Sequence, residues 1–224
     1  MRFAKIFLSL LCVICLLIIL PAYIFDRLSN WQVYFLAISY LLFFLATVWR
    51  TTKLGNLAKR SEDKQVKSRL GRAASFVGIF GLIGVHWLAI YESTNFSDNN
   101  FYVTNIVFTI IGTTLVFSAI IVNQVAVKTL GKFFDRLVIK DQHQLITSGI
   151  YSQIRHPIYT SYLLLFISFC TLLQSWFSLE FLAVVCFIWF GNRITIEEEM
   201  LTQEFGENYQ TYQQETKRLL PLIY

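Results

Sequence analysis

Six apolar runs constrain this chain more than any other feature. They cover residues 3–25, 31–49, 73–91, 102–127, 158–173 and 179–191. A helix needs about 20 apolar residues to cross the hydrocarbon core of a bilayer, and the first four runs are near that length. The last two are shorter, and they read as a helical hairpin, tilted or in a thinned bilayer, turning through Gln174-Ser175-Trp176. Composition agrees: 55% of the 224 residues are hydrophobic and 15% charged, where a soluble domain would carry about a quarter charged. The expected fold is an all-α integral membrane protein with about six transmembrane helices. The charged start and long apolar run at the N-terminus resemble a signal peptide. The run passes Pro21 without a small-residue cleavage site, so it reads as a retained first span.

The placement of charge orients these spans. Eight Lys and Arg lie between Arg50 and Arg72, and the loop holding Glu92 and Asp98 has none. With the N-terminus in the cytoplasm, Arg27 is the one basic residue of 19 left outside, as the positive-inside rule requires. Both termini and both basic loops then face the cytoplasm. The net charge of +5 is explained by these loops and anionic membrane lipids, so nucleic acid is not an expected partner. Cys12, Cys15, Cys170 and Cys186 all sit in apolar runs. A thiolate is costly there, so the Cys12/Cys15 pair reads as small apolar side chains.

Within the spans, Gly78, Gly81 and Gly84 lie at three-residue steps, which would admit a neighbouring helix closely. His86 reads as a hydrogen-bonded interhelical histidine, and Asn123 and Gln124 as facing protein. Leu201, Phe205 and Tyr209 give the tail one apolar stripe.

The longest stretch that no span absorbs is 143–159, HQLITSGIYSQIRHPIY. Gly149 suits a positive φ or a close backbone approach. Pro157 suits the first turn of a helix. Arg155 and His156 then stand at a helix N-terminus, where free N–H groups favour a carboxylate or ribose hydroxyls. Tyr151 and Tyr159 fit either an interfacial aromatic belt or a site that stacks a purine or faces a sulfonium. Further on, Arg193 and Glu197 are four apart and share a helix face. That pair is equally an ordinary helix-exit salt bridge. Of Glu197-Glu198-Glu199, at least one should face inward and need a partner. P-loop, HExxH, GxSxG and GxGxxG motifs are missing, and His143 and His156 have no third ligand nearby, so no metal is expected.

Taken in order, the central stretch, Arg193 with Glu197-Glu198, the segment FGENYQTY from Phe205 to Tyr212, and Leu220-Pro221 resemble the isoprenylcysteine carboxyl methyltransferase family and the related phospholipid N-methyltransferases. The resemblance covers about 130–224. It implies S-adenosylmethionine as cofactor, left as S-adenosylhomocysteine, and a lipophilic or lipidated acceptor. It implies that His143, Leu145, Ile146, Gly149, Tyr151, His156, Pro157, Tyr159 and Glu197 hold the cofactor, that Arg193 orients the acceptor, and that Glu198 supports catalysis. The division implied is 1–127 as supporting helices and 128–224 as catalytic region, with a cytosolic pocket between the loop before the fifth span and the C-terminal helix. Carboxyl O-methylation of a prenylcysteine-like substrate is the leading expectation, with phospholipid N-methylation and thiol S-methylation as alternatives. The NADPH-dependent membrane sterol reductases resemble the same region, but typically carry Asn after RHP, where this chain has Ile158. A non-enzymatic membrane scaffold would explain the spans but not the polar stretch.

Overall fold

The computed structural model of the protein describes residues 2–54, 68–93, 102–133 and 144–220. These residues are mostly helical, with turns and short irregular segments between the helices and one isolated parallel bridge between Ile154 and Lys217. Helix α1 (Arg2–Ile14) passes through a π-helical turn (Cys15–Ile19) into α2 (Leu20–Ile24). Pro21 explains the turn. It has no N–H to donate, and the pattern before it widens until Leu20 N–H donates to Cys15 O. Next come α3 (Trp31–Leu54), α4 (Arg69–Glu92) and α5 (Tyr102–Leu130). After the polar stretch stand α6 (Pro157–Leu172), α7 (Trp176–Phe205) and α8 (Glu207–Glu215).

Among the described residues, five segments are long and apolar enough to cross a membrane: Ile6–Ile24, Trp31–Trp49, Arg69–Glu92, Ile106–Leu130 and Trp176–Phe205. The sixth apolar helix, α6, has 16 residues, about 24 Å at 1.5 Å per residue and short of a roughly 30 Å core. Its hairpin partner differs from expectation. The apolar run ends at Gly191, yet α7 continues as one helix of 30 residues to Phe205, because nothing between 192 and 205 breaks it. Gly206 (φ 54°, ψ −126°) ends it. The stripe Leu201, Phe205 and Tyr209 is therefore split between two helices, and Tyr209 is buried from α8.

Sequential apolar helices alternate in direction. Helix α5 packs along α6, and α4 along α7. The α4–α7 seam depends on missing side chains. A Cβ at Gly78 would lie 2.2 Å from the Trp189 ring, and one at Gly81 would lie 2.6 Å from Val185 Cγ2. At mid-depth, Tyr40 Oη lies 2.9 Å from His86 Nε2, and His86 Nδ1 lies 2.6 Å from Leu82 O. His86 is thus the interhelical residue its sequence position suggested. Nearer the end where α6 begins, Thr47 Oγ1 donates to Asn123 Oδ1 (2.6 Å) and Asn123 Nδ2 donates to Ser161 Oγ (3.0 Å). That chain ties α3, α5 and α6 and satisfies a fully buried amide.

At the opposite end, Glu92 closes α4 and caps α7. Its Oε1 accepts Phe177 N–H (3.2 Å), and its Oε2 accepts Ser178 N–H (2.9 Å) and the Ser178 hydroxyl. A carboxylate at a helix N-terminus satisfies free donors and meets the positive end of the helix dipole. Replacing Glu92 by Ala should lower stability by about 2 kcal/mol, the cost of a lost cap with stranded donors, whereas Glu92→Gln should lose less. Thermal unfolding of the two variants in detergent checks this order.

Candidate active site

The polar stretch folds as a turn pinned by the tail. Residues 144–147 lack regular structure and lead through an extended Ser148 into a 3-10 turn, Gly149–Ser152. Gly149 has φ 62°, a left-handed conformation that other residues adopt at a cost of about 1–2 kcal/mol. After the turn, the backbone pairs with the tail. Arg155 N–H donates to Lys217 O (2.7 Å) and His156 N–H to Arg218 O (3.0 Å). Pro157 then starts α6 with His156 at its N-cap. Thr160 Oγ1 donates to Leu219 O (2.7 Å). Two segments about 60 residues apart thus close one end of the bundle.

Glu198 is the hub of this closure. Its side chain is 7% exposed. Arg155 Nε donates to Oε1 at 2.9 Å, Arg218 reaches Oε2 with Nη2 at 2.9 Å, and His156 Nε2 lies 3.2 Å from Oε1. The Arg155 guanidinium spends its other donors on the tail, to Gln213 O (3.0 Å) and to Thr216 O. A carboxylate taken out of water in this way is tolerable because it is paired and hydrogen-bonded on both oxygens.

Glu197, one residue earlier, is in a different setting. Its side chain is 32% exposed. Tyr159 Oη donates to its Oε2 (2.7 Å) and accepts from Arg193 Nε (3.0 Å). His156 Nδ1 lies 3.9 Å from Oε1. The Tyr159 phenol therefore bridges Arg193 and Glu197, the two residues whose spacing places them on one helix face. Above them, α8 contributes two buried rings. Tyr212 Oη donates to Tyr151 O (2.6 Å). The hydroxyls of Tyr151 and Tyr209 are buried without a hydrogen-bond partner. Burial and then Glu197 push the Tyr151 phenol well above its ordinary value; burial and then Glu198 do the same to Tyr209. Burial raises Tyr212 to about 12, offset in part by Arg155. All three remain neutral donors.

Of the residues singled out from sequence, His156, Tyr159, Arg193, Glu197 and Glu198 converge here, with Pro157 setting the helix that carries two of them. Tyr151 stands behind them. Leu145 and Ile146 are half-buried in the irregular segment before the turn, and Gly149 stands beside Thr129. His143 lies outside the described residues. Four contributors gave weaker sequence signals. Arg155 was visible as a cation at a helix N-terminus, but not as the tie to the tail. Arg218 follows Lys217 in a basic tail, with nothing to mark it. Tyr209 was visible in the apolar stripe, and with Tyr212 in the FGENYQTY segment.

Residues 109–203 match the model of the Isoprenylcysteine carboxyl methyltransferase (ICMT) family. The similarity of this chain is to that family. A probable protein-S-isoprenylcysteine O-methyltransferase of Oryza sativa subsp. indica is 33% identical over 116 residues, which cover 50% of this chain and 61% of the relative. Protein-S-isoprenylcysteine O-methyltransferase B of Arabidopsis thaliana is 31% identical over 115 residues, covering 50% and 58%. The Schizosaccharomyces pombe protein-S-isoprenylcysteine O-methyltransferase is 32% identical over 96 residues, covering 42% and 41%. The match thus spans less than two thirds of each of these relatives. The solved structure of the eukaryotic intramembrane Ras methyltransferase ICMT superposes with TM-score 0.53 at 19% identity, covering 94% of this chain and 74% of that one. That likeness shows the shared all-helical membrane fold. The matched family segment contains His156, Tyr159, Arg193, Glu197 and Glu198 and ends before Arg218.

Removing the hub should free the tail. Glu198→Ala leaves two guanidinium groups without their shared carboxylate, a change that costs about 3–5 kcal/mol when a buried pair is broken. Limited proteolysis should then cleave between 207 and 218, where the wild-type protein resists.

Proposed function

We propose that this chain is an integral membrane methyltransferase that takes S-adenosylmethionine and methylates the carboxylate of a lipidated, prenylcysteine-like acceptor. The observation that carries the reading is the Tyr159 phenol linking Arg193 to Glu197 beside the His156-Pro157 turn, within the segment that matches the methyltransferase family.

The residues present fit such a cofactor. Two buried phenols, Tyr151 and Tyr209, hold donors with no acceptor among the described residues, and an amino-acid carboxylate or ribose oxygens would supply acceptors. Glu197 is partly exposed, with Oε2 taken by Tyr159, and its Oε1 can receive an ammonium or ribose hydroxyl. Tyr159 and Tyr151 present ring surface suited to a sulfonium. The cofactor would supply the electrophilic methyl group. Leu145, Ile146, Gly149 and His156 belong to the same wall in this reading, and residues 128–224 form the catalytic region upon the helices of 1–127.

The chain's own contribution is placement. Arg193 holds the acceptor carboxylate by a charge-assisted contact and is itself held by Tyr159. A carboxylate is already nucleophilic, so no residue needs to remove a proton. Glu198, with both oxygens engaged by Arg155, Arg218 and His156, sets the position of Glu197 and of the tail and is not free to act as a base. Most of the rate advantage then comes from fixing both reactants at attack distance out of water. By the distribution of basic loops, the termini and the site face the cytoplasm.

The test uses the full chain in lipid nanodiscs with radiolabelled S-adenosylmethionine and a farnesylated cysteine, a phospholipid amine and a small thiol as separate acceptors. Base-labile methyl ester should form on the first. Arg193→Ala and Glu197→Ala should abolish transfer with unfolding temperatures unchanged. Tyr159→Phe, which removes two hydrogen bonds of about 1 kcal/mol each, should lower the rate at least about tenfold. Wild-type turnover in the Arg193 or Glu197 variant refutes the site. Calorimetric binding of NADPH but not S-adenosylhomocysteine refutes the reaction.

A further inference from the structure

An apolar cavity lies beside the cluster just described. It is a cleft of about 820 Å³ between α4, α6, α7 and the tail, lined among others by Ala74, Leu163, Leu182, Cys186, Phe190 and Leu219. Arg193, Tyr159, Glu197 and Glu198 are not in its wall. It follows α7 from Leu179 to Thr195, about 24 Å at 1.5 Å per residue, the length of an extended acyl chain. Its rim carries Phe187 and Leu70, which are 81% and 70% exposed, so it opens sideways onto the lipid-facing surface. One end is polar. Asn192, Thr195 and Arg218 line it there with Leu70 and Ala73 of the first turn of α4. The same turn holds Arg69 and Arg72, both exposed. The Asn192 Oδ1 is buried and has no hydrogen-bond donor among the described residues.

We propose that this cleft is a binding site for one anionic phospholipid with hydroxyls on its headgroup, distinct from the methyl acceptor. Each feature selects for part of that molecule. The apolar wall takes an acyl chain. The Arg218 guanidinium in the wall and the exposed Arg69 and Arg72 on the adjoining turn of α4 attract the phosphate, each Arg near a membrane surface adding about 1 kcal/mol toward an anionic lipid. A headgroup hydroxyl gives Asn192 Oδ1 the donor it lacks. A choline headgroup offers no such donor and carries no net charge. Because Arg218 both lines the cleft and pairs with Glu198, the lipid sits one side chain from the ion-pair hub, and its departure is felt there.

The test is independent of methyl transfer. The full chain is reconstituted in nanodiscs of equal phosphatidylglycerol and phosphatidylcholine, extracted into mild detergent and weighed by native mass spectrometry. One phosphatidylglycerol per chain should be retained, with roughly tenfold preference over phosphatidylcholine. Ala183→Trp, an exposed position in the cleft wall, should abolish retention with an unchanged unfolding temperature; Ala73→Trp, at the other wall, serves if the first variant does not fold. The double variant Arg69→Gln, Arg72→Gln should keep a lipid but lose the headgroup preference. Equal retention of the two lipids, or full retention in a folded filled-cleft variant, overturns the proposal. So does displacement of phosphatidylglycerol by a farnesylated cysteine, which would give the cleft to the acceptor instead.

Discussion

The carboxylate of Glu198 holds together what the chain separates. Arg155 and His156 come from the turn before α6, Glu198 from the far half of α7, and Arg218 from the tail. An ion pair in water is worth little, but one removed from water fixes geometry firmly, because any other arrangement leaves a bare charge. The backbone pairing of 154–156 with 217–218 and the placement of Glu197 beside Tyr159 both follow from that constraint.

The neighbouring carboxylates show how position on a helix divides labour. Glu197 and Glu198 differ by one step, about 100° around α7. One is turned into the tail and saturated; the other remains a third exposed and shares its oxygens with a phenol and a nearby imidazole. Sequence reasoning foresaw that one of the acids must face inward, but spacing alone does not say which.

Much of the fold was legible from hydropathy. All six apolar runs became helices, and the glycines at 78 and 81 do admit α7, as their spacing suggested. The pairing of α5 with α6 and of α4 with α7 was not legible, since lipid-facing and protein-facing apolar residues look alike in a sequence. At the site, His156, Pro157, Tyr159, Arg193 and Glu197 stood out through an ordered motif. Arg218 did not, because its role is created by a backbone bridge formed across some 60 residues, and no local pattern announces such a contact. Helix beyond Gly191 was expected from the sequence, but its continuity with the sixth apolar run was not, because the change from apolar to charged residues marks where lipid ends and not where a helix ends.

The short reach of α6 has a consequence for where the polar end of the bundle lies. Every one of its 16 residues is buried or half-buried, so longer helices and not lipid surround it. At about 24 Å it falls short of a roughly 30 Å hydrocarbon core. The turn that carries Arg155 and His156 is therefore kept from the oil by walls of protein instead of being lifted clear of it.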